Sequence, residues 1–265
     1  MYEILDALPN KSLVLDLGAG AGSFPHENYS FATIHLDVCK ENLGTKGNSV
    51  QALGEQLPFR SSSFDAVILS HVLEHCAQPK AVLQEVGRVL KKSGSAYIAI
   101  PDGRTFSDRL YRKLFRNRGG HVSLFDSELK LRKQAEWFLG LPHAASRVLY
   151  SSFSYLNARN LRNPARRREL RVPPLSESAV IALSAAVCLW DRFFRTGLSS
   201  YGWCIYLGHI HQPIPTEPNP NVCVRCGCAE EVASSSTLAY HCSECGCWNI
   251  NRRRLLALKA PSRPA

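Results

Sequence analysis

An α/β fold built on a parallel sheet follows from three features of the N-terminal part of the chain. Leu13–Leu17 is an apolar run that opens directly into a glycine-rich turn, Gly18-x-Gly20-x-Gly22. A second apolar run, Phe31–Leu36, ends in an acid, Asp37. A helix over Pro79–Lys92 then leads into a further run, Ser95–Ile100. Apolar runs separated by helix-length segments mark parallel strands buried on both faces. With 265 residues and 45% hydrophobic content, the chain has room for one full α/β domain and an appended module.

The order of elements carries the next step. Glycine reaches positive φ without steric cost and lets a ligand approach the backbone. A strand, a glycine turn and a helix in succession therefore form a cradle for a nucleotide-like cofactor, although tight packing alone also explains such a turn. Asp37 stands about 20 residues beyond the turn, where an acid takes a pair of ribose hydroxyls. The glycine spacing is not Gly-x-Gly-x-x-Gly, which seats a pyrophosphate on a helix N-terminus. Asp16 sits at the start of the turn instead, where it repels phosphate and welcomes an amino group. The expected cofactor has a cationic amino-acid end, a ribose and no phosphate, which is the inventory of S-adenosylmethionine.

The segment Ala52–His75 holds Leu57-Pro58-Phe59, Ser63-Phe64-Asp65 and Leu73-Glu74-His75 in that order. With the elements around it, the stretch 10–102 resembles the class I S-adenosylmethionine-dependent methyltransferases, and the resemblance continues more weakly to about 211. It implies a Rossmann-like sheet whose last strand inserts antiparallel beside its predecessor. By the same resemblance, Asp16, Gly18, Ala19 and Gly20 line the methionine end of the cofactor. Asp37 accepts from the ribose hydroxyls, Val38 packs on the adenine, and Leu53 and Gly54 present backbone to its edge. The family often carries an Asp where this chain has Leu53, so a contact to the adenine amino group is missing. Ser70 and His71, at the end of the fourth strand, border the methyl-transfer site. His121 lies in a Gly120-His121-x-x-x-Phe125 turn similar to one frequent in the family. His71 and His121 are the candidate bases for an acceptor hydroxyl, because imidazole titrates near neutral pH. Each has a structural alternative in a local hydrogen bond, and His75 reads as a structural part of its turn. The fold itself names no acceptor.

Selection of the acceptor is expected between the fifth strand and the final hairpin. Arg104–His121 is basic and aromatic together, with Arg104, Arg109, Arg112, Lys113, Arg116 and Arg118. Such side chains clamp phosphate or carboxylate, track a nucleic-acid backbone, or form a solvated helix face. A second basic stretch, 159–171, with Arg162, Arg166, Arg167 and Arg168 near prolines, reads as a loop. The net charge of +10 favours an anionic partner. Arg147–Leu156 and Tyr201–Gly208 are the expected strands of the hairpin. Ala179–Trp190 is the longest apolar run and is too short for a bilayer span, which needs about 20 residues. It reads as a buried helix, or as an interfacial one, since aromatics and arginines follow it.

Gln212–Pro220 is proline-rich and reads as an extended linker. The expected organisation is a domain over 1–211, a linker over 212–221, a small module over 222–250 and a loose basic tail over 251–265. The module holds Cys223-x2-Cys226-x15-Cys242-x2-Cys245, each half a Cys-x-x-Cys-Gly-Cys knuckle, which is zinc-ribbon spacing. Four thiolates close a tetrahedral Zn2+ site that is structural rather than catalytic, and the metal supplies folding energy to a module too small for its own core. An iron–sulfur cluster uses similar ligands, and Cys228 and Cys247 are surplus. Met1–Asp6 lacks the basic and apolar regions of a leader, so reduced thiols in the cytoplasm are favoured over disulfides. Two acceptor classes stay open. One is an anionic small molecule or a glycan- or lipid-like acceptor. The other is RNA docked through the module and the basic loops. A third reading is a non-catalytic binding module.

Overall fold

The structure, a computed structural model, describes residues 1–257 apart from 21, 44–47, 161–168, 211, 216, 218, 234 and 236. Its main strands are β1 (Leu13–Leu17), β2 (Ala32–Asp37), β3 (Ser49–Gln51), β4 (Phe64–Ser70), β5 (Leu90–Pro101), β6 (His143–Tyr150) and β7 (Ser200–Gly208). They form one seven-stranded sheet in the order β3-β2-β1-β4-β5-β7-β6. Strands β1 to β5 pair in parallel. Leu17 lies opposite Leu36 on one side and Leu69 on the other. The carboxyl ends of β1, β2 and β4 therefore come level, which is where open α/β sheets take their ligands. The apolar runs behave as expected of strands covered on both faces: Val14, Leu15, Val67 and Ile68 are fully buried.

Two expectations shift. The strand before the last one is β6, which begins earlier than the expected Arg147–Leu156. Phe153 sits at φ 50 and Ser154–Leu156 turns as a 3-10 helix, so the chain leaves the extended conformation there. The helix Glu128–Leu139, closed by Gly140 at φ 65, has no counterpart among the expected elements. Its signal is the buried set Leu131, Ala135 and Leu139 at helical spacing.

The chain folds into two compact units that do not follow sequence order. The first takes Met1–Asp102, Gly120–Arg147 and Trp203–Thr216. Its core joins Leu15, Leu36, Val67 and Leu69 to Leu83 and Val86 of the helix Pro79–Val89. The second takes Gly103–Gly119, Val148–Gly202 and Glu217–Ala265. Its core joins Phe153, Leu156, Val180 and Val187 to Cys223, Val224, Cys242 and Cys247. The cysteine module thus shares one core with the helix Glu177–Phe194.

Both flanks of that module are built in. Asn219 and Asn221, at the end of the proline-rich stretch, are buried, and Asn221 Nδ2 donates to Asn251 Oδ1 at 3.2 Å. The basic tail begins as a helix, Arg252–Ala257. Arg252 is only 3% exposed and donates to the carbonyls of Ser151 (2.6 Å) and Val222 (3.2 Å). A guanidinium with carbonyl partners is well placed inside a fold, because its fixed fork of donors is satisfied. Among the described residues no helix is long and apolar enough to cross a membrane.

Candidate active site

The glycine turn after β1 has the geometry that the sequence requires. Gly18 has φ +68, and a Cβ there would stand 2.5 Å from Val72 Cγ2. Only glycine lets the turn lie this close to the segment that follows β4. Gly20 has φ +50, and a Cβ there would meet nothing within 4 Å, so this side of the turn is open. Its N–H donates to Asp37 Oδ2 at 3.0 Å. Cys39 N and Asn42 Nδ2 donate to Asp37 Oδ1 at 2.8 and 3.2 Å. The acid at the end of β2 is thereby fixed against the turn.

The other expected cofactor residues surround this pair. Ala19 is buried and its N–H donates to Leu36 O at 2.9 Å. Val38 and Leu53 are apolar yet 62% and 51% exposed. Gly54 packs on Val82. Asp16 is fully buried and accepts from Ser23 N (3.0 Å) and Ser23 Oγ (2.6 Å), with His35 Nδ1 at 3.4 Å. Its carboxylate is therefore engaged in holding the far end of the turn. An open glycine cradle, a fixed acid and two uncovered apolar side chains fit the amino-acid, ribose and adenine parts of S-adenosylmethionine.

The turn after β4 carries an acid and two histidines, and a third histidine, His121, comes to it from a later segment. Ser70 ends the strand, and His71 follows at φ 59, an uncommon conformation for a residue with a Cβ. His71 Nδ1 stands 3.3 Å from Glu74 Oε1. Glu74 is 1% exposed, and neither of its carboxylate oxygens accepts a hydrogen bond among the described residues. His75 lies next to it, with Nδ1 3.1 Å from Gly120 O. Burial pushes the His75 imidazole below its ordinary pKa, against the opposing pull of Glu74. His121 is buried, and its ring meets that of His75 edge-on at 5.0 Å. The backbone N–H groups of Val122 (2.9 Å) and Ser123 (3.0 Å) both donate to Glu74 O, which clamps the two segments together. The structure brings His71 and His121 around one carboxylate. Glu74 was not among the expected site residues, and its signal is an ionisable side chain three positions after His71, in the turn at a strand's carboxyl end.

The basic stretch 104–121 divides. Phe106–Leu114 is a helix of the second unit, capped by Thr105 and amphipathic in pattern. Arg112 pairs with buried Asp108 at 2.7 Å and donates to Gly103 O at 2.9 Å, so it is structural rather than part of an anion clamp. Of the second basic stretch, Arg162, Arg166, Arg167 and Arg168 lie outside the described residues. Arg252, expected in a loose tail, is buried as described above.

The four expected metal ligands converge. The Sγ atoms of Cys223, Cys226, Cys242 and Cys245 all lie within 4.8 Å of one another. Cys223 and Cys245 are 3.6 Å apart, and Cys226 and Cys242 are 3.5 Å apart. The two knuckles repeat one geometry. Gly227 N donates to Cys223 O (3.0 Å) and Gly246 N to Cys242 O (2.9 Å), with both glycines at positive φ. Cys223 N donates to Cys228 O (2.9 Å) and Cys242 N to Cys247 O (2.8 Å), so the surplus cysteines close the knuckles through their backbone. Asn249 Nδ2 and Arg225 N, each at 3.4 Å, donate to Cys223 Sγ.

Comparison with known proteins finds relatives of the sheet-bearing part of the chain. Residues 15–98 match the methyltransferase domain family. An uncharacterised protein of Methanocaldococcus jannaschii is 34% identical over 103 residues, covering 37% of this chain and 49% of that protein. The Xenopus tropicalis tRNA (carboxymethyluridine(34)-5-O)-methyltransferase alkbh8 is 34% identical over 108 residues, covering 37% of this chain and 17% of that protein. The chain thus spans about half the length, or less, of these curated relatives. Among solved structures, a SAM-dependent methyltransferase from Archaeoglobus fulgidus shares the fold, with a TM-score of 0.52 at 16% identity over 78% of this chain and 89% of that one. Residues 15–98 thus match the methyltransferase domain family, on a sheet that shares its fold with a solved SAM-dependent methyltransferase.

Proposed function

We propose that the protein moves a methyl group from S-adenosylmethionine to an oxygen or nitrogen atom of an anionic small molecule or of a glycan- or lipid-like acceptor. The observation that carries the cofactor part is the Asp37 carboxylate, fixed by Gly20 N, Cys39 N and Asn42 beside an open glycine turn. When bound, the cofactor supplies an activated methyl group on a sulfonium. The protein's own task is then mostly positioning, which accounts for a large part of such a barrier. Asp37 takes the ribose hydroxyls, the backbone of Gly18–Gly20 admits the methionine end, and Val38 and Leu53 cover the adenine. His71 receives the proton of the acceptor, with Glu74 at 3.3 Å to stabilise the imidazolium. His121 is the second candidate for that proton. The anionic acceptor is inferred from the net charge of +10.

The four cysteines hold a structural Zn2+ under this reading. Tetrahedral zinc with Zn–S bonds of about 2.3 Å sets its sulfurs about 3.8 Å apart, close to the observed 3.5 and 3.6 Å. A second reading, RNA as acceptor, is favoured by the relative whose name records a tRNA substrate.

Two measurements test this. Asp37→Ala should weaken S-adenosylmethionine binding at least tenfold by calorimetry, and unchanged affinity would sink the cofactor pose. Radiolabelled S-adenosylmethionine incubated with protein and a cell extract should deliver label to the low-mass or lipid fraction. Label in RNA would instead select the second reading.

A further inference from the structure

We propose that Glu74, His75 and His121 form a binding site for one divalent cation of the Mn2+ to Co2+ kind, where the turn after β4 meets the segment that follows Gly120. One donor atom from each of the three lies within 4.8 Å of the others. Zn–N and Zn–O bonds of about 2.0–2.2 Å set the scale, so small side-chain rotations close this spacing onto a single ion. Two imidazoles and one carboxylate, with positions left open, are the donor set of sites that bind first-row transition ions and a substrate together.

Three independent features support the assignment. First, Glu74 is 1% exposed and neither carboxylate oxygen accepts a hydrogen bond among the described residues. A carboxylate taken out of water without donors is costly unless a cation faces it, and His71, at 3.3 Å, meets only one of its oxygens. Second, His75 Nδ1 lies 3.1 Å from Gly120 O. A carbonyl only accepts, so Nδ1 carries the proton and Nε2 keeps its lone pair. Ligating histidines are oriented in this way by a carbonyl behind them. A Cβ at Gly120 would come within 3.2 Å of that same Nδ1, and glycine keeps the approach open. Third, the donors are held in place before any ion arrives. Val122 N and Ser123 N clamp the His121 segment to Glu74 O.

The use of the cation rests on the methyltransferase reading above, whereas its binding does not. An acceptor hydroxyl taken at an open position becomes more acidic. Its O–H bond breaks and the proton passes to His71. The oxygen electron pair then forms the new bond to the methyl carbon as the carbon–sulfur bond breaks, and the sulfonium leaves as a neutral thioether. This assignment gives His121 to the ion and leaves His71 as the base.

The test uses the full chain with its cysteine site loaded with Zn2+, titrated with Mn2+ and followed by loss of the free-ion electron paramagnetic resonance signal. We expect uptake of about one Mn2+ per chain, with affinity reduced at least tenfold in both His121→Gln and His75→Gln. The lone pair on His75 and the ring of His121 are removed in these variants, while the buried Glu74 is left alone. No uptake by the unsubstituted protein, or uptake unchanged in both variants, would overturn the proposal. S-adenosylmethionine binding is measured on the same samples by calorimetry. Mn2+ uptake without cofactor binding would leave the cation site standing and remove the methyltransferase reading. Cofactor binding without Mn2+ uptake would do the reverse.

Discussion

The two clusters of ligating side chains are built on opposite plans. The cysteine cluster draws four thiols from two copies of one short knuckle, and its residues are part of the core that includes Val180 and Val187. The Glu74 cluster draws one carboxylate and two imidazoles from two segments far apart in sequence, one of them the turn after β4. A closed set of thiolates suits an ion whose work is to hold a fold together, and a mixed set with positions to spare suits one that meets a substrate. The contrast predicts that losing the first ion breaks structure, whereas losing the second breaks only chemistry.

The largest expected effect tests that contrast directly. Under the zinc reading proposed above, stripping the metal with a strong chelator, or substituting Cys242→Ser, should remove binding energy that is on the order of 10 kcal/mol in small zinc modules. Amide hydrogen exchange should then lose its protection over the helix Glu177–Phe194, which shares the cysteine core, while β1 and β4 stay protected. A helix that keeps its protection would mean that this core stands without the metal. Next, Arg252→Ala leaves the carbonyls of Ser151 and Val222 without their donors. It should cost roughly 2–4 kcal/mol in urea unfolding, since buried unsatisfied groups cost about 1–3 kcal/mol each.

On the sheet side, Gly18→Ala should cost about 1–3 kcal/mol from positive φ and overpacking, because its methyl would meet Val72 at 2.5 Å. It should also weaken S-adenosylmethionine binding. A variant with unchanged melting temperature and affinity would show that the turn is slack, contrary to the rigid plan. The smallest effect concerns acid. Burial pushes the Asp191 carboxyl up, but donation from Ser199, Thr196 and the backbone of Ser199 and Leu198 outweighs it and holds its pKa below the ordinary value. Its contribution is therefore present above the unfolded pKa and is lost as pH falls through the lower folded one. Asp191→Asn should flatten the acid limb of stability below about pH 4, and an unchanged limb would show that those hydrogen bonds do not discriminate between the charged and neutral forms.

How much of this was readable in the sequence depended on whether the pieces were neighbours. The glycine turn, Asp37 and the paired cysteine knuckles are local patterns with fixed spacing, so their geometry follows from the order of residues. The Glu74 cluster is not local. Nothing in the spacing of Glu74 and His121 announces that Val122 and Ser123 donate to one carbonyl and bring them together. Arg252 was misread for a related reason, since a run of arginines looks solvated until carbonyls from two other segments close around one of them. The shift of β6 came from Phe153, whose left-handed backbone carries no mark in the residue type.

The interleaving of the two compact units has a consequence for how the protein is made. Each unit is assembled from three separate stretches, and the second needs Glu217 onward to supply Cys223, Val224, Cys242 and Cys247 to its core. Ribosomes release chains from the N-terminus at about 5–20 residues per second. The stretches 103–119 and 148–202 therefore emerge with their apolar faces bare and wait for the last segment. Between those two moments lies a window in which a chaperone decides whether the nascent chain matures or is degraded, and a chain cut before Glu217 never leaves that window.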